Sequence, residues 1–147
     1  MNEPVQVGHP IVGTWWLTSF TEENLETGAV SYPFGVAAKA FVIYEVNGYV
    51  ATIFSAGDRK RPVAAQATEQ EAIQLYRSMI AFAGRYDLVG NRLIYRPEIS
   101  WNEAWNGTTQ ERVFEVKGDR LEVKSVPAVS ALTGARTVFS LAWQRVT

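Results

Sequence analysis

Polar side chains with the spacing of a strand face occur in two adjacent segments of the 147-residue chain. Gln110, Arg112 and Phe114 share one face of the segment 110–116, because side chains alternate along a strand. The following segment has an apolar inward face, so Phe114 is predicted to point inward, and Gln110 and Arg112 with it. Glu98, in the preceding segment, is the candidate carboxylate for this interior; the other face of its strand, with Leu93, Tyr95 and Ile99, is also apolar, so an outward-facing Glu98 is the alternative.

A carboxylate and a guanidinium in a small interior allow two interpretations. In the first, Glu98 and Arg112 form a buried ion pair, and removing either partner is costly. In the second, Arg112 binds a carboxylate or enolate of a ligand through paired N–H groups, and Glu98 or Tyr95 transfers a proton. The second interpretation makes Glu98, Arg112 and Tyr95 the candidate catalytic residues.

Aromatic residues make up 12% of the chain and provide candidate ligand contacts. Tyrosine and tryptophan combine apolar area with a polar group, as side chains in small-molecule pockets often do. Trp101 and Trp105 follow a strand-like segment, and we expect them at the mouth of a cavity, because loops on a rigid scaffold often carry function. The candidate ligand-binding residues are Tyr44, Tyr86, Trp101, Trp105, Gln110 and Phe114.

The composition excludes several classes of site. Without cysteine, and with His9 as the one histidine, we expect no disulfide, thiolate nucleophile or metal centre. A net charge of −1 offers no basic surplus, so nucleic acid and anionic membranes are not expected partners. No glycine-rich phosphate-binding motif is present, and we expect no cofactor. The first residues lack the features of a signal peptide, which predicts a cytoplasmic protein.

Strand signals dominate the elements that must position these residues. β-branched and aromatic residues are concentrated in segments that short turns connect. Asn47-Gly48 is the clearest turn, since both positions suit the positive φ of a type I′ hairpin, and Gly90-Asn91 and Lys117-Gly118-Asp119 join two further pairs. The eight predicted strands cover residues 12–20, 40–46, 49–55, 85–89, 92–100, 110–116, 120–126 and 136–146.

One segment has a helical pattern, between the third and fourth predicted strands. Thr68 and Glu71 have the spacing of a capping box, in which each side chain accepts a backbone N–H of the other residue at a helix start. Apolar side chains then follow the spacing of one helix face, and Gly84 is the predicted stop. We expect the helix to cover one opening of the fold. The residues on this face are Ala72, Leu75, Tyr76, Met79 and Ile80.

Eight antiparallel strands joined by tight turns predict an all-β barrel. Closure removes the unpaired edges of a sheet, and a barrel of this size holds one small ligand or fills with side chains. A two-sheet sandwich is the alternative on strand count. We expect a flexible leader over residues 1–11 and one barrel domain over residues 12–147.

Gly13-Thr14-Trp15 lies at the start of the first predicted strand, and Arg145 lies near the end of the last. This set is similar to the lipocalin signature, in which an arginine packs on the indole that closes the barrel floor. Together with the segments 32–35, 41–48, 81–86, 98–108 and 110–114, it makes the chain resemble the bacterial lipocalin-like domain family of small calycin-type barrels. The resemblance implies a closed barrel with a ligand cavity, and it implies no particular activity.

These observations favour a protein that binds a small apolar or aromatic molecule in the barrel, with an acidic group on the ligand as an option. The alternative is a cofactor-independent isomerase, cyclase or lyase that transfers a proton inside the barrel. A third hypothesis is a homodimer formed through exposed aromatic side chains. Fold-level resemblance does not distinguish these functions.

Overall fold

The computed structural model of the protein describes residues 8–130 and 132–147. Each of the eight predicted strand regions forms a strand there, and two short strands are added. In chain order the elements are β1 (Gly13–Asn24), β2 (Val30–Ser31), β3 (Lys39–Tyr44), β4 (Tyr49–Ser55), α1 (Glu69–Arg77), β5 (Met79–Val89), β6 (Arg92–Ser100), a 3-10 turn (Glu103–Trp105), β7 (Gln110–Lys117), β8 (Arg120–Ser125), β9 (Ala128–Val129) and β10 (Arg136–Arg145).

The long strands form one closed antiparallel barrel. They pair in the order β1-β3-β4-β5-β6-β7-β8-β10, and β10 pairs back onto β1 from Trp15 to Asn24. Closure pairs both edges of every long strand, which blocks edge-to-edge association. The prediction of an eight-stranded all-β barrel is confirmed, and the sandwich alternative is wrong. The helix follows β4, the third long strand, because the short β2 precedes β3.

The helix α1 begins where the capping box predicts it. The Glu71 backbone N–H donates to the Thr68 hydroxyl at 3.2 Å, and the Thr68 backbone N–H donates to the Glu71 carboxylate at 2.9 Å. Hydrogen bonds from the backbone of Thr68 and Val63 lower the pKa of Glu71. These contacts satisfy N–H groups that a helix start leaves free.

The helix ends earlier than its apolar spacing predicts. Met79, Ile80 and Gly84 were expected on or just after the helix, but all three belong to β5. Pairing with β4 overrides the helical spacing, because it places Ile80 at a buried inward position. No residue of α1 is buried, so the helix lies at the rim instead of covering the opening, with the Tyr76 ring 6.3 Å from that of Trp101.

Trp15 and Arg145 close the floor of the barrel. Trp15 is fully buried, and its indole N–H donates to the backbone oxygen of Ile11 at 2.9 Å. Arg145 lies over the indole and donates from Nη1 to the Val12 backbone oxygen at 3.1 Å and from Nη2 to the Pro10 backbone oxygen at 2.6 Å. The floor expected from the sequence is therefore present.

The expected leader, residues 1–11, is described only from residue 8 onward, and residues 1–7 lie outside the described residues. Ile11 is fully buried, and its backbone N–H donates to Nδ1 of His9 at 3.1 Å. The His9 ring lies 6.2 Å from the Phe114 ring. His9 and Ile11 therefore pack under the barrel floor.

A bulge between β5 and β6 places one residue outside the regular alternation. Gly84 pairs with Pro97 and Ala83 with Ile99, so Glu98 is the extra residue. A Cβ on Gly84 would lie 2.2 Å from the backbone oxygen of Arg96, so only glycine allows this approach. The bulge directs the end of β6 away from the barrel interior.

Apolar side chains also lie on the outer surface of the barrel. Phe41, Ile43, Ile53 and Ile99 are exposed and, with Trp101, line a surface depression that we call the outer groove. The predicted homodimer stays a prediction. Within residues 8–130 and 132–147, no helix has the length and apolarity needed to cross a membrane.

Candidate functional site

An apolar cavity, which we call the lumen, occupies the barrel above its floor. The lumen is a cavity of about 60 Å³, well below the roughly 300–1,000 Å³ of typical small-molecule sites, so its own side chains fill most of the barrel interior. All but three of its lining side chains are apolar. The lining residues are Phe20, Val42, Thr52, Phe54, Ile80, Phe82, Tyr95, Trp105, Arg112, Val123, Phe139, Leu141 and Trp143.

Aromatic rings from separate strands form most of the lumen wall. Phe54 on β4 packs edge-on against Trp143 on β10, with ring centroids 5.5 Å apart. Phe20 on β1 lies 5.5 Å from Phe139 on β10. These inward positions follow from alternation along each strand. The wall is therefore suited to a flat apolar or aromatic molecule.

The lumen opens into a second, more polar pocket, which we call the mouth. The mouth has a volume of about 390 Å³ and shares Trp105, Arg112 and Phe139 with the lumen. Gln110, Thr109, Ser125 and Thr137 are among its polar lining residues. A ligand can therefore place an apolar body in the lumen and a polar group near Arg112.

Arg112 lies where the apolar lumen meets the mouth, and it faces inward as the alternation along β7 predicts. Its Nη1 donates to the backbone oxygen of Glu111 at 2.9 Å, and its Cζ lies 5.9 Å from the centroid of the Tyr95 ring. Burial lowers the pKa of Arg112, and the phenols of Tyr95 and Tyr44 oppose this shift. Arginine stays protonated at neutral pH, so the site holds a desolvated positive charge.

Tyr44 and Tyr95 form a hydrogen-bonded pair in the barrel, with hydroxyl oxygens 2.5 Å apart. Burial raises the pKa of Tyr44 well above its ordinary value, and Tyr95 adds to the shift. Burial also raises the pKa of Tyr95, although the hydrogen bond with Tyr44 and the charge of Arg112 oppose it. Both phenols are therefore protonated near neutral pH. Tyr95 lines the lumen, whereas Tyr44 lies buried behind it.

The structure brings some of the predicted ligand-binding residues together and separates others. Trp105 lines both the lumen and the mouth, and Gln110 lines the mouth. Trp101 packs edge-on against Trp105 with ring centroids 4.9 Å apart, but it lines the outer groove. Trp101 is thus placed to support Trp105 and not to contact a molecule in the lumen.

Tyr86 and Phe114 lie below the lumen. The Tyr86 hydroxyl donates to the backbone oxygen of Glu45 at 2.7 Å, and its ring packs 5.1 Å from that of Tyr44. Phe114 packs against the core and faces His9. Neither residue is in the lumen lining. Their positions support the base of the cavity.

Glu98 does not share the interior with Arg112, contrary to the expected placement. It is exposed, and the inward positions of β6 are taken by Leu93, Tyr95 and Pro97. The bulge at Gly84 makes Glu98 the unpaired residue of this strand. The expected pairing of a carboxylate and a guanidinium is therefore absent at Arg112: in residues 8–130 and 132–147, Arg112 forms no ion pair.

Glu22 is a buried carboxylate that the sequence reasoning missed. It is 3% exposed and accepts a hydrogen bond from the Thr137 hydroxyl at 3.2 Å. A register shift between Leu17 and Ser19 changes the alternation of β1, so Phe20 and Glu22 face inward after it. The first strand was predicted to end at residue 20, whereas β1 continues to Asn24 and pairs with β10 along that extension. This pairing is the feature that places Glu22 inside the barrel.

Several lumen residues were also missed, namely Phe54, Phe82, Phe139 and Trp143. Phe54, Phe139 and Trp143 lie in predicted strands, and Phe54 alternates there with exposed residues, so the strand pattern carried the signal for it. Phe82 lies before the fourth predicted strand, in the segment that was predicted as helical. In residues 8–130 and 132–147, no three His, Asp or Glu side chains are grouped so that they could hold a metal ion.

Comparison with known proteins agrees with this architecture. A model of the lipocalin-like domain family matches residues 12–146. The chain is similar to the 4'-hydroxy-3'-methoxypropiophenone carrier protein ppsC of Aspergillus oryzae (strain ATCC 42149 / RIB 40), with 32% identity over 87 residues. That match covers 54% of this chain and 78% of the relative. With a family match that spans the closed barrel and its floor, the chain belongs to the lipocalin-like domain family.

Proposed function

We propose that the protein binds one small, flat, largely aromatic molecule in its lumen and acts as a carrier for it. The observation that supports this most is the aromatic-lined lumen, a cavity of about 60 Å³ that leads to a polar mouth of about 390 Å³. Burial of apolar ligand surface provides about 25 cal/mol per Å², so a single aromatic ring gains several kcal/mol there. Membership of the lipocalin-like domain family and the carrier relative support ligand binding in general.

The relative's name also supports the kind of ligand. It names 4'-hydroxy-3'-methoxypropiophenone, which is an aromatic ketone that carries a phenol group. We propose a ligand of the same broad kind here: one aromatic ring with a polar oxygen substituent. Such a molecule matches an apolar wall of Phe54, Phe82 and Trp143 beside the polar side chains of Tyr95 and Arg112.

Proton-transfer catalysis is less well supported than binding. Its expected base, Glu98, is exposed outside the lumen. Tyr95 faces the lumen, but burial raises its pKa, which makes a phenolate base scarce at neutral pH. We therefore propose binding in the lumen as the function.

A neutral fluorescent probe tests the proposed function without assuming the natural ligand. N-phenyl-1-naphthylamine should bind at one site per chain and accept excitation energy from Trp105 and Trp143, which line the lumen. The measurement is a fluorescence titration excited at the tryptophan band. Absence of saturable energy transfer at any accessible probe concentration would contradict the proposal.

A matched pair of variants assigns the probe to the lumen. Val42→Phe adds a ring inside the cavity, whereas Val36→Phe adds the same ring at a position that is 84% exposed. We expect Val42→Phe to weaken probe binding by at least tenfold and Val36→Phe to leave it unchanged. Overpacking costs about 1–3 kcal/mol of stability, so a thermal melt accompanies each titration. Equal affinities in two folded variants would place the probe elsewhere.

A further inference from the structure

We propose that the lumen binds its aromatic ligand through an anionic oxygen, a phenolate, enolate or carboxylate oxygen, held by the guanidinium of Arg112. This inference rests on the proposed function and adds to it the ionisation state of the ligand and its polar contact.

The positive charge of Arg112 has no carboxylate partner in residues 8–130 and 132–147. The acidic side chains on nearby strands have other contacts: Glu111 with Arg92, Glu122 with Arg120, and Glu22 with the Thr137 hydroxyl. Arg112 is partly buried, and a positive charge that is partly removed from water without an anionic partner is unfavourable. A ligand anion at this position would offset that cost, which a neutral ligand cannot do.

The guanidinium also has donors available for the ligand. Arginine carries five N–H groups, and in the described part of the chain Arg112 donates one hydrogen bond, from Nη1 to the Glu111 backbone oxygen. Its position on the border of lumen and mouth exposes it to a molecule in either pocket. Hydrogen bonds from a charged donor to an anionic oxygen are about twice as strong as neutral ones.

The tyrosine pair supplies a second donor beside Arg112. Tyr44 is fully enclosed and its hydroxyl oxygen is 2.5 Å from that of Tyr95. If Tyr44 donates to Tyr95, the proton of the Tyr95 hydroxyl is left to point into the lumen. Arg112 and Tyr95 then converge on one oxygen, as donors in sites that stabilise an oxyanion do.

The groups that face Arg112 do not themselves change charge between about pH 6 and 9. Burial raises the pKa of both Tyr44 and Tyr95, and arginine stays protonated in this range. On β7 and β8 the inward neighbours at the mouth are Gln110 and Ser125, which do not titrate. Glu22, on β1, is a buried carboxylate that accepts a hydrogen bond from the hydroxyl of Thr137, which lines the mouth. A pH dependence of binding in this range that is lost when Arg112 is replaced therefore reports the ionisation of the ligand.

The test uses three aromatic probes of similar size. The phenol probe is 4'-hydroxyacetophenone, whose phenolate absorbs at longer wavelength than the phenol, so absorbance follows its ionisation when bound. The neutral probe is 4'-methoxyacetophenone, and 4-methoxybenzoate is the carboxylate probe. Each is titrated into the wild type, Arg112→Met, Arg112→Lys and Arg120→Met, which removes an exposed arginine on β8 as the matched control.

We expect the wild type to lower the apparent pKa of the bound phenol by at least one unit, which corresponds to at least tenfold tighter binding of the phenolate than of the phenol. Arg112→Met should abolish that shift, Arg112→Lys should retain part of it, and Arg120→Met should behave as wild type. The neutral probe should bind the wild type and Arg112→Met within about threefold. If the carboxylate probe alone loses at least tenfold in Arg112→Met, the anion is a carboxylate.

The outcomes separate this inference from the proposed function. One outcome is that the wild type binds the neutral probe and binds neither the phenolate nor the carboxylate probe more tightly. In that case the inference is overturned and the proposed function stands. If no probe binds, N-phenyl-1-naphthylamine included, both are overturned. If Arg112→Met does not fold, the wild-type titrations and Arg112→Lys still decide, because an unshifted phenol pKa together with no preference for 4-methoxybenzoate over the neutral probe contradicts the inference.

Discussion

The guanidinium carbon of Arg145 lies 4.3 Å from the centroid of the Trp15 ring, and this contact links the last strand of the barrel to the first. Arg145 Nε also lies 3.3 Å from Asp119 Oδ1 in the turn between β7 and β8. Gly13 makes room for it: a Cβ there would lie 3.1 Å from Nη1 of Arg145, and its φ of +135° disfavours other residues. The floor therefore depends on three separated parts of the chain.

Replacing Trp15 should destabilise the barrel strongly. Trp15→Ala removes a fully buried ring together with its hydrogen bond and its cation–π contact. We expect a loss of about 3–5 kcal/mol in the free energy of unfolding, measured by urea denaturation. Tyr76→Ala, on the exposed face of α1, is the control and should change stability by less than about 0.5 kcal/mol. A loss below 1 kcal/mol for Trp15→Ala would contradict the floor's role.

Gly84→Ala should also be strongly destabilising, for a steric reason. The added Cβ would lie 2.2 Å from the Arg96 backbone oxygen and 2.9 Å from the Glu98 backbone nitrogen, so β5 and β6 must separate at the bulge. Gly118→Ala is the comparison, because Gly118 has a φ of +60° with no atom within 4 Å of the added Cβ. It should cost about 1–2 kcal/mol from the backbone alone. If Gly84→Ala and Gly118→Ala lose the same free energy of unfolding in urea denaturation, β6 moves to accommodate the added Cβ and the prediction is contradicted.

Trp105 and Trp101 should differ in their effect on ligand binding. Trp105 lines the lumen and the mouth, whereas Trp101 contacts Trp105 from the outer groove. We expect Trp105→Ala to weaken binding of N-phenyl-1-naphthylamine by about tenfold or more, since it removes contact area of one aromatic ring. Trp101→Ala should weaken binding of the probe less, because it affects the probe only by changing the position of Trp105. A larger effect at Trp101, seen in the same titration, would move the site to the outer groove.

Alkaline pH should destabilise the fold through its buried tyrosines. Burial, with a smaller contribution from Glu45, raises the pKa of Tyr86 to about 12, and burial raises that of Tyr44 well above its ordinary value. The unfolded chain has tyrosine pKa values of about 10. Above about pH 10 it releases protons that the folded chain retains, so the free energy of unfolding falls as the pH rises towards 12.

Urea denaturation at pH 8 and pH 11 checks this dependence. Tyr86→Phe should cost about 1 kcal/mol at pH 8, because it removes the hydrogen bond to Glu45, and it should reduce the loss of stability between the two pH values. Tyr76→Phe, at an exposed helix position, should leave the wild-type pH dependence in place. An unchanged dependence in both Tyr86→Phe and Tyr44→Phe would contradict the role of these phenols.

Local patterns predicted the parts of this protein that depend on alternation and on turn chemistry. The hairpin at Asn47-Gly48, the Thr68–Glu71 capping box and the inward direction of Arg112 all follow from rules that act within a few residues. The floor was predictable because Gly13, Trp15 and Arg145 form a recognisable signature. In each case the physical cause lies close to the residues concerned or in a pattern shared by the family.

Register shifts account for much of what the sequence could not place. Regular alternation along β6, with Leu93, Tyr95 and Pro97 inward, already turns Glu98 outward, whereas the shift between Leu17 and Ser19 reverses the alternation of β1 and turns Glu22 inward. Such bulges are determined by how neighbouring strands pair, which is a tertiary property. The early start of β5 at Met79 has the same origin, since pairing with β4 overrides the helical spacing.

Trp15 and Arg145 seal the barrel at its floor, and a molecule in the lumen can enter and leave past the mouth, which shares Trp105 and Arg112 with the lumen. Entry and departure then cross the same barrier. A change at the mouth that alters only this barrier multiplies the association and dissociation rate constants by the same factor and leaves Kd where it was. Gln110, which borders the mouth and not the lumen, occupies such a position. In this architecture the residence time of a cargo can evolve separately from the strength with which it is held.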